Sequence, residues 1–375
     1  MALAVIFGLT LGLVFGSVRP LDMTRHELEG IVREVCDRHK APAVAACLVQ
    51  GHGPFVSATY GVRKLGSKVK TTLGDTYTIG SCTKSFTALL AAQLVEEGTV
   101  SWQTTVGEAF PALRIDPRLT AVTLEDLLFH RSGLKGDLSE GDMERYTLSK
   151  QPGVEQRSEA VAALLSQPPA KEPRSELSYS NLGYCVAGHI LEVRTKSSWE
   201  SLVKSRIFEP LHMKSAGFGF SGTPGKIDQP WGHLAKEEGG YTPVPPGPEA
   251  DNPVVLAPAA TIHCSIEDLA RYAKSMRDGL NGQPGLVSRL SIEKLASDPY
   301  EQGYGMGWIV GSRKWTNGRA VFHAGSNTMS TALIWVVPGR DLAIVVTTNI
   351  GDDNSFKVCD DVVKACVERL YGIKP

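Results

Sequence analysis

Strand-like segments occur near both ends of this chain, and a long proline- and glycine-rich region separates the two groups. Near the N-terminus, residues 43–50 and 54–61 are apolar runs joined by a short glycine-containing link, which indicates a β-hairpin. Further strand candidates lie near the C-terminus, at residues 303–310, 319–325, 330–338 and 342–350. Because both groups have to pair within one folded unit, we expect an antiparallel sheet built from the two ends of the chain.

Helical patterns flank these strands. In residues 23–39 the apolar positions have helical spacing, and Thr24 and Glu27 form a capping-box pattern at the start. Residues 265–276 and 354–371 form two further amphipathic helix patterns. We expect the helices at the two ends of the chain to cover the sheet.

The middle of the chain has a different character. Short helical patterns at residues 123–130 and 159–167 lie between proline- and glycine-rich stretches. Residues 221–258 are expected to form a long irregular loop, and loops of that length are usually functional or mobile. We therefore expect an inserted, mostly helical subdomain in this part of the chain.

The predicted fold class is α+β, with an antiparallel sheet flanked by N- and C-terminal helices and interrupted by the helical subdomain. One domain is expected over residues 19–375, because 42% hydrophobic and 21% charged residues are typical of a globular chain. Within it, the sheet part spans about 19–95 and 256–375, and the helical subdomain about 96–255.

Residues 1–18 are almost entirely apolar, and they are expected to be a signal peptide or an apolar membrane anchor. A secreted, periplasmic or other cell-envelope location follows from that expectation, with a membrane-anchored or cytoplasmic location as the alternatives. The seven cysteines weigh against an oxidising compartment. Their scattered positions show no zinc-ligand spacing, so we expect small buried apolar side chains.

Nucleic acid is not an expected partner, because the formal net charge is -1 and no basic stripe is present. A membrane is expected to be contacted only through residues 1–18, if that segment is retained. The remaining expected partner is a small-molecule or peptide substrate, and the oligomeric state is left open.

A serine followed three residues later by a lysine is a weak motif on its own. It occurs here four times, at Ser67/Lys70, Ser81/Lys84, Ser201/Lys204 and Ser291/Lys294. Only Ser81 lies directly between a strand pattern and a strongly apolar helix pattern. There Lys84 is one turn away on a helix that enters the core, and desolvation would lower its pKa towards that of a useful base. The alternative interpretation is that Ser81 is a helix cap and Lys84 a solvated first-turn residue.

A serine–lysine nucleophile requires further polar groups, and two later segments contain them. Tyr179 and Asn181 lie two residues apart in a predicted loop before an apolar helix. A tyrosine there can relay protons, and an asparagine can bind a substrate carbonyl. His323 and Gly325 lie at the end of a predicted strand, where the glycine permits close approach of a substrate.

Taken together in this order, the three motifs resemble the signatures of the penicillin-recognising serine hydrolases. The chain is similar to the branch with class C β-lactamases, D-Ala-D-Ala carboxypeptidases, D-aminopeptidases and related esterases. "LLFHRSGL" at residues 127–134 and "GYGMGW" at residues 303–308 also resemble segments of that family. The resemblance implies a β-lactamase-like fold and covers about residues 25–372.

The resemblance implies a serine hydrolase that acts through an acyl-enzyme on Ser81. Lys84 and Tyr179 would share the proton transfers, with the identity of the general base left open. Asn181 would orient the substrate, and the backbone N–H groups of Ser81 and Ser326 would form an oxyanion hole. No metal or cofactor is implied. Substrates would be peptides or amides, with D-amino-acid or β-lactam-like groups, or esters.

One departure concerns the third motif, which in β-lactamases usually carries Lys-Thr/Ser-Gly. Here His323 replaces a permanent cation, and Ala324 removes a hydroxyl that would bind a substrate carboxylate. A peptidase or esterase with weak β-lactam turnover is therefore expected. The alternatives are a carboxylesterase or transacylase of the same fold, and a catalytically inactive relative that only binds ligands.

Two other residues have expected roles. Trp231, in the expected long loop, is a candidate for substrate contact. His130, in the "LLFHRSGL" segment, is expected to be structural. The Gly-x-Ser-x-Gly pattern of α/β-hydrolases is absent, and Gly30 stands where a zinc-binding His-Glu-x-x-His motif starting at His26 would require a histidine.

Overall fold

The computed structural model describes residues 22–374. The helices are α1 (Arg25–His39), α2 (Thr83–Glu96), α3 (Val106–Ala109), α4 (Leu124–Leu128), α5 (Glu140–Leu148), α6 (Gly153–Leu165), α7 (Asn181–Thr195), α8 (Trp199–Val203), α9 (Ala257–Ala260), α10 (Ile266–Leu280), α11 (Arg289–Leu295) and α12 (Asp353–Tyr371). The strands are β1 (Ala43–Gln50), β2 (Val56–Gly61), β3 (Thr76–Thr78), β4 (Gly217–Phe218), β5 (Gly232–Ala235), β6 (Tyr241–Val244), β7 (Ile262–Ser265), β8 (Ile309–Ser312), β9 (Arg319–Ser326), β10 (Thr331–Val337) and β11 (Leu342–Thr348).

The main sheet combines strands from both ends of the chain. Its six strands follow the order β2-β1-β11-β10-β9-β8, and every neighbouring pair is antiparallel. The first and last parts of the chain meet where β1 pairs with β11, with Val44 opposite Thr348. The predicted α+β fold with an antiparallel sheet is confirmed.

The sheet is buried on both faces, and alternate residues of β1 show this. Ala45, Cys47 and Val49 pack into the core that contains α2, α7 and α10. The intervening residues Val44 and Ala46 pack into a second core with α1 and α12. Since successive side chains of a strand point to opposite faces, this arrangement gives three layers with the sheet in the middle.

The capping box predicted for the first helix is present. Thr24 Oγ1 accepts a hydrogen bond from the Glu27 backbone N–H at 3.3 Å, and Glu27 Oε2 accepts one from the Thr24 N–H at 2.9 Å. The Glu27 carboxylate also accepts from Arg369 Nε at 2.7 Å, which ties α1 to α12. The two terminal helices are thus held together on one face of the sheet, and the prediction that they cover it is confirmed.

Two predicted elements differ from the structure. The strand expected at 303–310 begins only at Ile309, because Gly303 and Gly307 have φ angles of 74° and the chain turns there. A Cβ at Gly307 would lie 2.6 Å from Ser85 Cα, so the turn packs against α2. The segment 221–258 is not wholly irregular, since β5 and β6 form an antiparallel hairpin within it.

All seven cysteines are buried, and none forms a disulfide. Their expected role as small apolar side chains is consistent with that burial. The predicted signal peptide or anchor at residues 1–18 lies outside the described residues. Among residues 22–374, no helix has the length and apolar character needed to cross a membrane.

Candidate active site

Ser81 lies in a 3₁₀ turn, Gly80–Cys82, between β3 and α2. The N-cap position of α2 is Cys82, and no side chain makes a capping hydrogen bond there, so Ser81 is not the helix cap. Gly80 has a φ of 50°, and a Cβ at this position would lie 2.5 Å from the backbone nitrogen of Ser326. The turn therefore needs glycine at residue 80 to bring Ser81 against β9.

Lys84 extends from the first turn of α2, and its side chain is fully buried. Lys84 Nζ lies 3.0 Å from Ser81 Oγ, 2.6 Å from Asn181 Oδ1 and 3.1 Å from the carbonyl oxygen of Ala259. A neutral amine has two N–H donors and one lone pair. When the two N–H groups of neutral Lys84 donate to the oxygens of Asn181 and Ala259, its lone pair is left to accept the Ser81 hydroxyl proton.

Burial lowers the pKa of Lys84 to about 7. The charge of Asp137 is among the smaller effects that raise this pKa. Among residues 22–374, no carboxylate lies within hydrogen-bond distance of Lys84 Nζ to favour the ammonium form. The aromatic ring of Tyr179 lies 4.7 Å from Nζ. An appreciable fraction of Lys84 is consequently neutral near pH 7, which is the condition for a lysine to act as a base.

The start of α7 places Tyr179 and Asn181 beside Lys84. Ser180 is the N-cap, and its hydroxyl accepts from the Gly183 N–H at 2.8 Å. Tyr179 therefore precedes the helix, while Asn181 is its first residue. The Asn181 N–H donates to the Gly136 carbonyl at 2.7 Å, which fixes this helix start against the loop after α4.

The Tyr179 side chain is partly exposed. Burial of its phenol nevertheless raises the pKa of Tyr179 well above the usual range, and the neighbouring Ser81 side chain has a smaller, opposing effect. The phenol is thus protonated at neutral pH. Tyr179 is a proton donor in this state, whereas Lys84 has a neutral fraction able to accept a proton.

Strand β9 approaches Ser81 along its outer edge. Pairing with β8 ends where Ile309 lies opposite Phe322, and the following residues of β9 face the 3₁₀ turn. A Cβ at Gly325 would lie 2.2 Å from the Ile79 carbonyl oxygen and 2.5 Å from the Ser81 nitrogen. Glycine is therefore required at residue 325 by the close backbone contact between β9 and the turn that contains Ser81.

His323 is buried and belongs to a hydrogen-bonded series that also contains His130 and Tyr304. His130 Nδ1 accepts from the Ser180 N–H at 3.0 Å, and its Nε2 lies 3.2 Å from the Tyr304 hydroxyl. The same hydroxyl lies 3.3 Å from His323 Nε2, and His323 Nδ1 lies 2.7 Å from the Ala324 carbonyl oxygen.

The partners of this series assign the tautomers of both histidines. His130 Nδ1 accepts from a backbone N–H, so Nε2 carries the proton and donates to Tyr304. His323 Nδ1 faces a carbonyl, so it carries the proton, and Nε2 accepts from the Tyr304 hydroxyl. Burial, assisted by the charge of Lys84, lowers the pKa of His323 to about 3. His323 is therefore neutral at physiological pH and supplies no cation.

Two residues at the site were not singled out from the sequence. Tyr304 lies in the "GYGMGW" segment, and its role depends on contacts with two distant histidines. Asp137 is exposed, and its Oδ2 accepts from Asn181 Nδ2 at 2.8 Å. Asp137 lies three residues after the "RSGL" sequence, which resembles a segment of the family. That position was the signal by which the sequence could have indicated an acidic residue near the site.

Trp231 does not join the group around Ser81. Its N–H donates to the Arg63 carbonyl at 2.8 Å, and its indole N–H donates to the Lys226 carbonyl at 3.0 Å. The Lys64 ammonium lies 4.2 Å from the ring centre. These contacts hold Trp231 at the base of the β5–β6 hairpin, and its contact with substrate stays a prediction.

Comparison with known families gives one match over nearly the whole chain. The family model described as Beta-lactamase matches residues 28–367. That range includes the three motifs around Ser81, Tyr179 and His323, and it includes every strand of the main sheet.

Individual relatives are more distant. Protein flp of Staphylococcus aureus is 24% identical over 88% of this chain, which spans 64% of that relative's length. Penicillin-binding protein 4 of Amycolatopsis lactamdurans is 26% identical, covering 90% of this chain and 87% of the relative. The solved D-amino acid amidase of Ochrobactrum anthropi SV3 has a TM-score of 0.74 at 22% identity, covering 93% of this chain and 98% of the amidase. The last similarity concerns the fold.

Proposed function

The chain belongs to the beta-lactamase family of serine hydrolases, and from this premise we propose that it hydrolyses amides or peptides of amino acids by acyl transfer through Ser81. The observation that carries the proposal is the fully buried Lys84, whose Nζ lies 3.0 Å from Ser81 Oγ and whose pKa is lowered to about 7. A serine hydroxyl is inert without such a neighbouring base.

In the first step, neutral Lys84 accepts the Ser81 proton while Oγ forms a bond to the substrate carbonyl carbon. The carbonyl oxygen becomes an oxyanion. The backbone N–H groups of Ser81 and Ser326 are the donors assigned to it, because the contact between Gly80 and Ser326 holds the two backbones together.

In the second step, the C–N bond breaks and the leaving nitrogen takes a proton from Tyr179. The raised pKa of Tyr179 keeps its phenol protonated for this transfer. The proton that Lys84 took from Ser81 then returns to the Tyr179 phenolate, which leaves neutral Lys84, a protonated Tyr179 and the acylated Ser81. A water molecule attacks the acyl-enzyme by the same route in reverse, which releases the acid and restores the Ser81 hydroxyl.

Asp137 favours substrates that carry a free ammonium group. Its carboxylate is exposed beside Asn181, the residue assigned to orient the substrate. Neutral His323, by contrast, offers no cation to a substrate carboxylate of the β-lactam type. An amino-acid amide with a free α-amino group matches this distribution of charge. The structural similarity to a protein named as a D-amino acid amidase agrees with this substrate class.

The experiment compares amino-acid p-nitroanilides in the D and L forms, each with a free or an acetylated α-amino group, alongside p-nitrophenyl esters and nitrocefin. We expect the free-amino compounds to give the highest kcat/KM. The Asp137→Asn variant should reduce the preference for the free amino group by roughly 10- to 150-fold, which corresponds to one hydrogen bond to a charged group.

If the wild-type enzyme and the Asp137→Asn variant each hydrolyse free-amino and acetylated substrates at equal rates, Asp137 does not bind the substrate ammonium. Hydrolysis of esters alone would establish the esterase alternative. If no substrate is turned over and Ser81 is not labelled by a fluorophosphonate, the proposed hydrolase function is wrong.

A further inference from the structure

We propose that the cavity between α5 and α6 binds the apolar side chain of the substrate residue whose ammonium lies at Asp137. This inference rests on the proposed function and names the group that the site selects. The cavity, called here the side-chain pocket, has a volume of about 360 Å³. That volume is within the range of known ligand pockets.

Helical spacing builds the walls of the side-chain pocket. On α6, Ala160, Ala163 and Leu164 lie at i, i+3 and i+4, so they share one face of the helix. The two alanines leave the space that larger side chains would fill. The buried Tyr146 on α5 and Leu182 on α7 complete an apolar lining.

Two hydrogen bonds connect the wall of the side-chain pocket to the site around Ser81. Asp137 lines the pocket and also accepts a hydrogen bond from Asn181 Nδ2 at 2.8 Å. Asn181 Oδ1 in turn lies 2.6 Å from Lys84 Nζ, which lies 3.0 Å from Ser81 Oγ. Leu182, in the pocket wall, directly follows Asn181.

The charged residues that line the pocket, Lys135, Asp137, Asp142 and Arg145, are of both signs and balance, which favours an uncharged side chain between α5 and α6. Arg145 also lines the pocket, but it forms ion pairs with Asp142 at 3.1 Å and with Glu159. Asp137 instead accepts hydrogen bonds from two neutral groups, the side-chain amide of Asn181 at 2.8 Å and the backbone N–H of Leu138 at 2.9 Å. An α-ammonium at Asp137 would direct the attached side chain between α5 and α6.

The test uses a size series: alanine, leucine and phenylalanine p-nitroanilides with free amino groups, in the enantiomer that the full-length enzyme prefers. Ala163→Phe introduces bulk into the pocket from an exposed position, so it does not overpack the core. Ser158→Phe is the matched control, since Ser158 is also exposed on α6 but does not line the pocket.

We expect the wild-type enzyme to favour leucine and phenylalanine over alanine. Ala163→Phe should lower kcat/KM for the two larger substrates by roughly 10- to 100-fold, the discrimination typical of an apolar pocket, and change the alanine substrate by less than about threefold. Ser158→Phe should change all three by less than about threefold. Thermal unfolding of both variants checks that they are folded.

An equal effect of Ala163→Phe on all three substrates, or no effect on any, overturns the pocket assignment. Fluorophosphonate labelling of Ser81 in the same samples separates the two possible failures. A labelled, active wild-type enzyme without size selectivity contradicts the pocket alone. A wild-type enzyme that neither turns over these substrates nor is labelled contradicts the proposed function as well.

Discussion

The pH dependence of Ser81 reactivity follows directly from the burial of Lys84. The reactive form has neutral Lys84, whose pKa is lowered to about 7. For that pKa, about one-tenth of the protein is reactive at pH 6 and about nine-tenths at pH 8. The second-order rate of Ser81 modification should therefore rise about tenfold between these pH values and then level off. A lysine with an ordinary pKa near 10.4 would give about a hundredfold rise over the same interval, without levelling off.

The assay is the rate of inactivation by a fluorophosphonate, which has no group that titrates in this range. Other groups at the site do not interfere, because the pKa of His323 is lowered to about 3 and that of Tyr179 is raised above the usual range. Asp251 needs a control, since burial raises the pKa of its carboxyl to about 7. The Asp251→Asn variant should keep the same midpoint.

The Asp137→Asn variant should move the midpoint in a known direction. The charge of Asp137 raises the pKa of Lys84, so its removal should shift the midpoint to lower pH. A profile that keeps rising through pH 9, or a midpoint that disappears in Asp251→Asn, would refute the assignment of the base to Lys84.

Two further predictions concern β9 and its neighbours. Tyr304→Phe leaves His130 Nε2 and His323 Nε2 without their partner, so the free energy of unfolding should fall by about 1–3 kcal/mol for each orphaned group. Denaturant titration measures this change, and an unaltered midpoint would contradict the hydrogen-bonded series. Nitrocefin turnover should be weak, because neutral His323 cannot pair with the carboxylate. A kcat/KM near the upper enzyme range of about 10⁷–10⁸ M⁻¹s⁻¹ would contradict that interpretation.

Much of the fold could be predicted because its signals are local. The capping box of Thr24 and Glu27 starts α1, and apolar runs mark β1, β10 and β11. A sheet built from both ends of the chain was expected from the strand patterns there, whereas the particular pairing of β1 with β11 was not predicted. Residues 303–308 were wrongly predicted as strand, because Gly303 and Gly307 turn the chain there. The turn at Gly307 packs against Ser85 of α2, and that contact is distant in sequence.

The site shows the same division between local and distant signals. Ser81 and Lys84 are one helical turn apart, so their proximity could be predicted from their spacing. The neutral state of His323 depends on burial and on Tyr304, which comes from another segment. Asp137 reaches Asn181 only because the loop after α4 is bonded to the start of α7. No sequence pattern encodes these contacts between segments.

The most direct test of the central claim is mass spectrometry of the intact protein and its peptides after reaction with a fluorophosphonate. The account predicts one adduct per chain, located on Ser81, with no adduct in the Ser81→Ala variant and a rate lowered by about 10²- to 10⁴-fold in Lys84→Ala. An adduct on another residue, or an unmodified Ser81 in folded protein, would contradict the account.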